Sequence, residues 1–211
     1  MNTSSNIDQS ECYAEFLKTI PKGKNVVDLA CGDGWAGKMA LAHGARYVTF
    51  ADARVEEFIP AANHTNYQNQ FIDLNFPQSL KPLLAEADVV LYFGHLYHCT
   101  NHEEILDALV NSDCKEFFID TKVMLGNPHK DSDIPSIFWQ IPELVDNCRN
   151  GWHSTDMYVL PGAPNLSWML DYFDRNKLEV KLQKSIDHVF TRENCDPHYH
   201  TIYIFHVTKL I

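Results

Sequence analysis

The chain has 211 residues, 45% of them hydrophobic, enough to bury one substantial core, and it reads as a single domain over residues 1–211. Its net charge of −11 argues against nucleic acid as a partner, because non-specific affinity for phosphates comes from Lys and Arg displacing counterions. Six cysteines (Cys12, Cys31, Cys99, Cys114, Cys148, Cys195) form no CxxC pair, which argues against a zinc site. There is also no leader-like start and no run near the ~20 apolar residues that span a bilayer, so the expectation is reduced thiols in a soluble, cytoplasmic chain.

Residues 1–10 are polar; then Tyr13, Phe16, Leu17 and Ile20 recur at helical spacing and predict a short helix ended by Pro21-Lys22-Gly23. Apolar runs of strand length follow at Asn25–Leu29, Tyr47–Ala51, Val89–Phe93 and Glu116–Asp120, with a closing pair near Glu179–Gln183 and Thr201–Thr208. Helical patterns lie between the first four, with Trp35, Met39 and Ala42 expected on one buried face and Ile105, Leu106, Leu109 and Val110 on another. Strands alternating with helices predict a parallel sheet covered on both sides, an open α/β sandwich. The closing pair breaks the alternation, since the loop expected over Asp187–His200 is too polar for a helix; those two strands are expected to be antiparallel neighbours. Between Thr121 and Pro164 lies a segment with Phe138, Trp139, Trp152 and Met157, too long for a connector and too apolar for a linker; residues 121–164 are read as a lid or substrate-binding insertion.

The segment Asp28-Leu29-Ala30-Cys31-Gly32-Asp33-Gly34-Trp35-Ala36-Gly37 places glycines where a buried strand turns sharply into a helix. As a pattern it satisfies GxGxxG at Gly32, Gly34 and Gly37, which by itself is equally legible as a dinucleotide site. Asp28, inside the strand, points to a different ligand: a carboxylate there organises the loop amides and attracts an ammonium, whereas it repels a pyrophosphate. Asp52 closes the next strand, where a carboxylate accepts both hydroxyls of an adenosine ribose, a signal shared with NAD-binding proteins. Farther on, Asp73 in Phe71-Ile72-Asp73-Leu74 is placed to accept an adenine amino group.

On these residues the chain resembles the class I S-adenosylmethionine-dependent methyltransferases. Val26–Gly34 is similar to their first motif, Asp52 to their second, Asp73 to their third and Ala87–His98 to their fourth. The resemblance implies a Rossmann-like α/β fold with a seven-stranded, mostly parallel sheet, an antiparallel C-terminal strand pair and helices on both faces. It also implies S-adenosyl-L-methionine as cofactor, with S-adenosyl-L-homocysteine (SAH) as product, held by Asp28, Ala30, Gly32, Gly34, Asp52, Ala53, Asp73, Leu74 and Phe93. Within the superfamily, Phe93-Gly94-His95-Leu96-Tyr97-His98 with Ile105-Leu106, and Met157–Pro161 with Asn165-Leu166, look like the tRNA wobble-uridine carboxymethyltransferases and their relatives. Two departures separate the chain from them: residues 1–24 are too few for their N-terminal region, and no arginine precedes Pro161 in that segment.

Methyl transfer from a sulfonium is an in-line displacement, so the enzyme aligns the acceptor and, for a hydroxyl, removes its proton. The crevice of such a sheet lies beyond the carboxyl ends of its strands, which makes His95, Tyr97 and His98 the leading catalytic candidates, a histidine being suited to the role of base. Asp120, Thr121 and Lys122 at the next strand end, with Trp152 and His153 in the insertion, form a second set. Asp196-Pro197-His198-Tyr199-His200 is compatible with a metal site, although a solvent-facing hairpin is the reading carried, with no metal assigned. The expected acceptor is a small molecule offering O, N or C. A tRNA- or protein-modifying enzyme with a partner, an inactive cofactor-binding module and an NAD-dependent oxidoreductase stay open at this point.

Overall fold

The computed structural model describes residues 13, 17–18, 22–53, 65–99, 101–124, 164–190 and 198–210. In chain order it runs β1 (Asn25–Leu29), α1 (Trp35–Ala42), β2 (Tyr47–Asp52), β3 (Tyr67–Phe71), α2 (Leu80–Leu84) and β4 (Val89–Tyr92). It continues with α3 (His102–Val110), β5 (Glu116–Met124), α4 (Leu166–Arg175), β6 (Leu178–Phe190) and β7 (His198–Lys209). The seven strands form one sheet in the order β3-β2-β1-β4-β5-β7-β6. β1 to β5 are parallel to their neighbours, while β7 enters between β5 and β6 antiparallel to both.

Alternation along the central strands sends their apolar side chains to two cores. Val27, Leu29, Val90, Tyr92, Phe117 and Ile119 pack with Leu80, Leu84, Ile105, Leu106, Leu109 and the Trp168, Met169, Tyr172, Phe173 face of α4. Val26, Val48, Phe50, Val89, Leu91 and Phe118 pack with Ala36, Ala40 and Leu41 of α1 and with the helical Tyr13 and Leu17. Both faces are therefore covered, which is why β1 and β4 read as nearly unbroken apolar runs.

The structure corrects several boundaries. β3 has no counterpart among the expected strands: Gln68, Asn69, Gln70 and Phe71 are exposed, and only pairing with β2 at the sheet edge makes this segment a strand. β5 continues through Thr121–Met124, so those residues belong to the sheet and not to an insertion. β6 and β7 extend well past their apolar runs, reaching Phe190 and His198, so that 187–190 and 198–200 of the loop expected over Asp187–His200 are ladder. In α1 the buried face is Ala36, Gly37, Ala40 and Leu41, while Trp35 and Met39 are half-buried and Ala42 is exposed. Small residues there let the helix lie close on β2, which outweighs burying larger ones. Phe16, Ile20 and residues 125–163, with Phe138, Trp139, Trp152 and His153, lie outside the described residues, as do Asp196 and Pro197.

Candidate active site

β1 ends in a loop that alternates left-handed residues: Ala30 has φ 55°, Gly32 φ 54° and Gly34 φ 73°. Two of these are glycines, for which this region is free of strain; Ala30 holds it at a cost of about 1 kcal/mol. The curl is fixed by Cys31 N–H donating to the Ala51 carbonyl (3.2 Å), Gly34 N–H to the Cys31 carbonyl (2.8 Å) and Gly32 N–H to Asp52 Oδ2 (2.9 Å). The acid at the end of β2 is thus wired to the glycine loop across the parallel pair. Neighbouring Ala53 is half-buried.

Asp28 is only 2% exposed, and its Oδ2 accepts the Gly37 amide proton at 2.7 Å. Burial pushes this carboxyl up to about 8, against the Gly37 hydrogen bond that lowers it and with the charges of Asp52 and Asp33 adding to the rise. The third glycine of the pattern is a packing residue: a Cβ on Gly37 would lie 2.4 Å from Phe50 Cε1 and 2.9 Å from Asp28 Oδ2. At the other side of the loop, the main-chain N–H of Ile72 donates to the Asp52 carbonyl (3.1 Å), carrying the chain to Asp73. Asp73 Oδ1 accepts from the backbone and side-chain amides of Asn75 at 2.9 and 2.8 Å. Buried Leu74 accepts from Asn101 Nδ2 at 2.8 Å, which ties the loop after β3 to the one before α3.

Beyond β4 the chain turns at Gly94, in the left-handed region at φ 71°. Phe93 packs against Tyr13 and Trp35, with ring centroids 5.2 and 6.0 Å apart, and Tyr13 and Trp35 stand 5.1 Å apart. The Gly94 amide and the Tyr13 hydroxyl both donate to the buried Asp120 carboxylate. Burial raises this carboxyl to about 6, offset by those two donors and by Lys122. Burial lowers the Lys122 ammonium, which sits 4.5 Å over the Tyr97 ring, and raises the Tyr97 phenol, with Asp120 adding to the rise. The Tyr97 ring lies 4.2 Å from that of half-buried His98, tilted by 42°. His95 is buried, its Nδ1 3.1 Å from Tyr92 Oη and 3.3 Å from Cys99 Sγ. Thr121 is fully buried and donates to the Lys122 carbonyl at 3.1 Å.

The structure therefore gathers His95, Tyr97 and His98, just past β4, with Asp120 and Lys122, in the part of β5 that runs beyond the end of β4, and sets Asp28, Asp52 and the glycine loop at the ends of β1 and β2. The pattern did not single out Tyr13, Tyr92 or Cys99 as partners in this region, because in a strand or helix each reads as an ordinary core residue. Of His198, Tyr199 and His200, the backbone lies in β7.

A doubly wound dinucleotide sheet has the order 3-2-1-4-5-6. Here an antiparallel β7 is wedged between β5 and β6. This is the class I methyltransferase fold. The N-terminal domain of EvdMO1, crystallised in the presence of SAH and D-fucose, shares it at a TM-score of 0.66 and 16% identity, covering 98% of this chain and 85% of that one. An S-adenosylmethionine-dependent methyltransferase from Mesorhizobium loti shares it at a TM-score of 0.58 and 16% identity over 93% of this chain and 97% of that one. The YcgJ protein from Bacillus subtilis does so at a TM-score of 0.64 and 13% identity over 94% and 98%. No family model and no curated protein matches the chain, so structure alone carries the likeness. The narrower resemblance to the tRNA wobble-uridine enzymes rests on the sequence motifs.

Proposed function

We propose that this chain is an S-adenosylmethionine-dependent methyltransferase acting on a small-molecule acceptor. The observation that carries the reading is the polar cluster of His95, Tyr97, His98, Asp120 and Lys122 beyond the end of β4, on the side of the sheet where open α/β folds place their ligands. The residues present fit the cofactor: Asp52, bound to the Gly32 amide, and Asp73, after β3, offer carboxylates that accept from a ligand's hydroxyls and amino groups and disfavour a pyrophosphate, while Asp28, enclosed and protonated, braces the loop through the Gly37 amide. Ala30, Gly32 and Gly34 would hold the cofactor through backbone, and Ala53, Leu74 and Phe93 would supply apolar contacts to it. When bound, S-adenosylmethionine supplies an electrophilic methyl group.

The remaining work falls to this chain's own side chains. His98, half-buried against Tyr97, takes the proton of an acceptor hydroxyl; Tyr97 and Lys122 orient that acceptor; and the Tyr13, Trp35 and Phe93 rings exclude water beside it. His153 is placed in the same set by the sequence pattern. The acidic net charge supports a small acceptor over RNA.

Calorimetry with SAH and NAD tests the cofactor: wild type is expected to bind SAH and not NAD, and Asp52→Ala to lose at least about tenfold in SAH affinity, the equivalent of a charged hydrogen bond. NAD binding alone would overturn the reading. Incubation of cell extract with S-adenosylmethionine carrying a labelled methyl group, followed by mass spectrometry, tests the acceptor. Label is expected in the small-molecule fraction; label confined to RNA or protein would overturn that part.

A further inference from the structure

The turn after β4 contains a buried three-way contact that the glycine loop and acceptor crevice leave unexplained. Tyr92, the last residue of β4, points into the core under α3 and α4, and its hydroxyl lies 3.1 Å from His95 Nδ1 and 3.6 Å from Cys99 Sγ. Cys99 Sγ in turn lies 3.3 Å from the same Nδ1 and 3.6 Å from the His95 carbonyl. All three residues are buried, so each proton in the cluster must be directed at a neighbour. Burial holds both the phenol and the thiol in their protonated forms, the thiol being pushed up to about 12.

Two arrangements of the protons satisfy these contacts. In one, the Tyr92 hydroxyl donates to Nδ1 and the thiol donates to the His95 carbonyl. In the other, Nδ1 carries the proton and donates to Tyr92, whose hydroxyl must then donate to sulfur at 3.6 Å. Sulfur is a weak acceptor and imidazole nitrogen a strong one, so the first arrangement gives the phenol its better and shorter bond, 3.1 Å to nitrogen in place of 3.6 Å to sulfur. An imidazole that accepts at Nδ1 carries its proton on Nε2, on the side of the ring away from Tyr92.

We propose that Tyr92 is a positioning residue that fixes His95 as the Nε2–H tautomer, so that His95 serves the crevice as a hydrogen-bond donor and leaves proton abstraction to another group. This rests on the methyltransferase reading for its catalytic meaning, but the tautomer itself does not. The same turn supplies the division of labour: His95 is held from the core side by Tyr92 and Cys99, whereas His98 packs against Tyr97, whose ring Lys122 caps.

The test is a two-bond proton–nitrogen correlation spectrum of the full chain labelled with 15N-histidine at pH 8, with the His95 signals assigned by their loss in His95→Gln. The Nε2–H pattern is expected in wild type; an Nδ1–H pattern, or a mixture of the two, would overturn the proposal whether or not the protein transfers methyl groups. Tyr92→Phe keeps the ring and removes the donor, and is expected to bring the Nδ1–H form into the spectrum; an unchanged pattern in a folded variant would also overturn it. With an active acceptor in hand, Tyr92→Phe is expected to lower kcat about tenfold, the equivalent of one hydrogen bond, with KM little changed. The acidic limb of the pH–rate profile is expected to persist in His95→Gln and to vanish in His98→Gln, and loss of the limb in His95→Gln would assign the base to His95 and defeat the inference. If transfer fails and the Nε2–H pattern stands, the methyltransferase reading falls and the tautomer assignment does not.

Discussion

Gly37→Ala sets two physical effects of opposite sign against each other. Gly37 is the third residue of α1, and alanine is a better helix former than glycine by about 1 kcal/mol, so propensity alone predicts a more stable protein. Packing predicts the reverse. The new Cβ would fall 2.4 Å from Phe50 Cε1 and 2.9 Å from both Asp28 Oδ2 and Val48 Cγ1. The Phe50 ring has little room to retreat, since Tyr67 sits edge-on to it at 5.8 Å and Gly34 lies against its Cε1 and Cδ1. Forcing a methyl group into a filled core costs about 1–3 kcal/mol, and loosening the 2.7 Å bond from the Gly37 amide to a buried carboxyl adds about 1 kcal/mol more. The net expectation is a loss of about 1–3 kcal/mol in urea unfolding followed by circular dichroism, with SAH affinity reduced because α1 and the glycine loop move together. Gly23→Ala is the control: φ there is +82° but nothing lies within 4 Å, so it is expected to cost about 1 kcal/mol of backbone strain and leave SAH affinity alone. A Gly37→Ala protein as stable as wild type, or more so, would refute the claim that this glycine is set by packing.

Substitutions at two further positions probe the same loop. Because burial holds the Asp28 carboxyl near 8 against an ordinary 3.8, the native chain keeps a proton that the unfolded chain has released, and stability should fall as pH rises from about 4 to about 8. Asp28→Asn retains an acceptor for the Gly37 amide but cannot titrate, so its unfolding free energy is expected to fall less steeply across that window; parallel curves for the two proteins would contradict the burial argument. At Ala30 the left-handed backbone makes size and branching costly, so Ala30→Val is expected to destabilise by about 1–2 kcal/mol while Ala30→Gly stays within about 0.5 kcal/mol of wild type. Equal stabilities for these two variants in urea unfolding would show that the strain is absent.

What could be read from the residues alone follows from where the information is stored. β1, β2 and β4 emerge from their apolar runs within a residue because strands buried on both faces must be apolar throughout. β3 was hidden for the opposite reason: Gln68, Asn69 and Gln70 face water, and the strand exists through main-chain bonds to β2 that no pattern of side chains reports. The added lengths of β5, β6 and β7 have the same origin, since a ladder once begun continues through polar residues such as Lys122 and Lys184. At the candidate site, the curl from Ala30 to Gly34 and the acid at Asp52 were legible because a tight turn and a ribose demand particular residue types. The contacts of Asp120 were not, because its partners Tyr13 and Gly94 lie 107 and 26 positions away and have no local signature. Nor did spacing show that Asp28 is enclosed beneath α1.

The place of β7 in the sheet bears on how the molecule is assembled. As the chain is synthesised from its N-terminal end, β1 to β5 can pair in sequence, yet β5 then presents an open edge, since its remaining neighbour is not β6 but the strand made after it. β6, for its part, pairs among the described residues with β7 alone. Until His198–Lys209 has been made, both edges are exposed templates for pairing with another chain, and Glu116 waits for Thr208 across most of a hundred residues. The last strand to emerge is the one that closes the sheet, so the interval before its arrival is the period in which this protein is most open to misassembly.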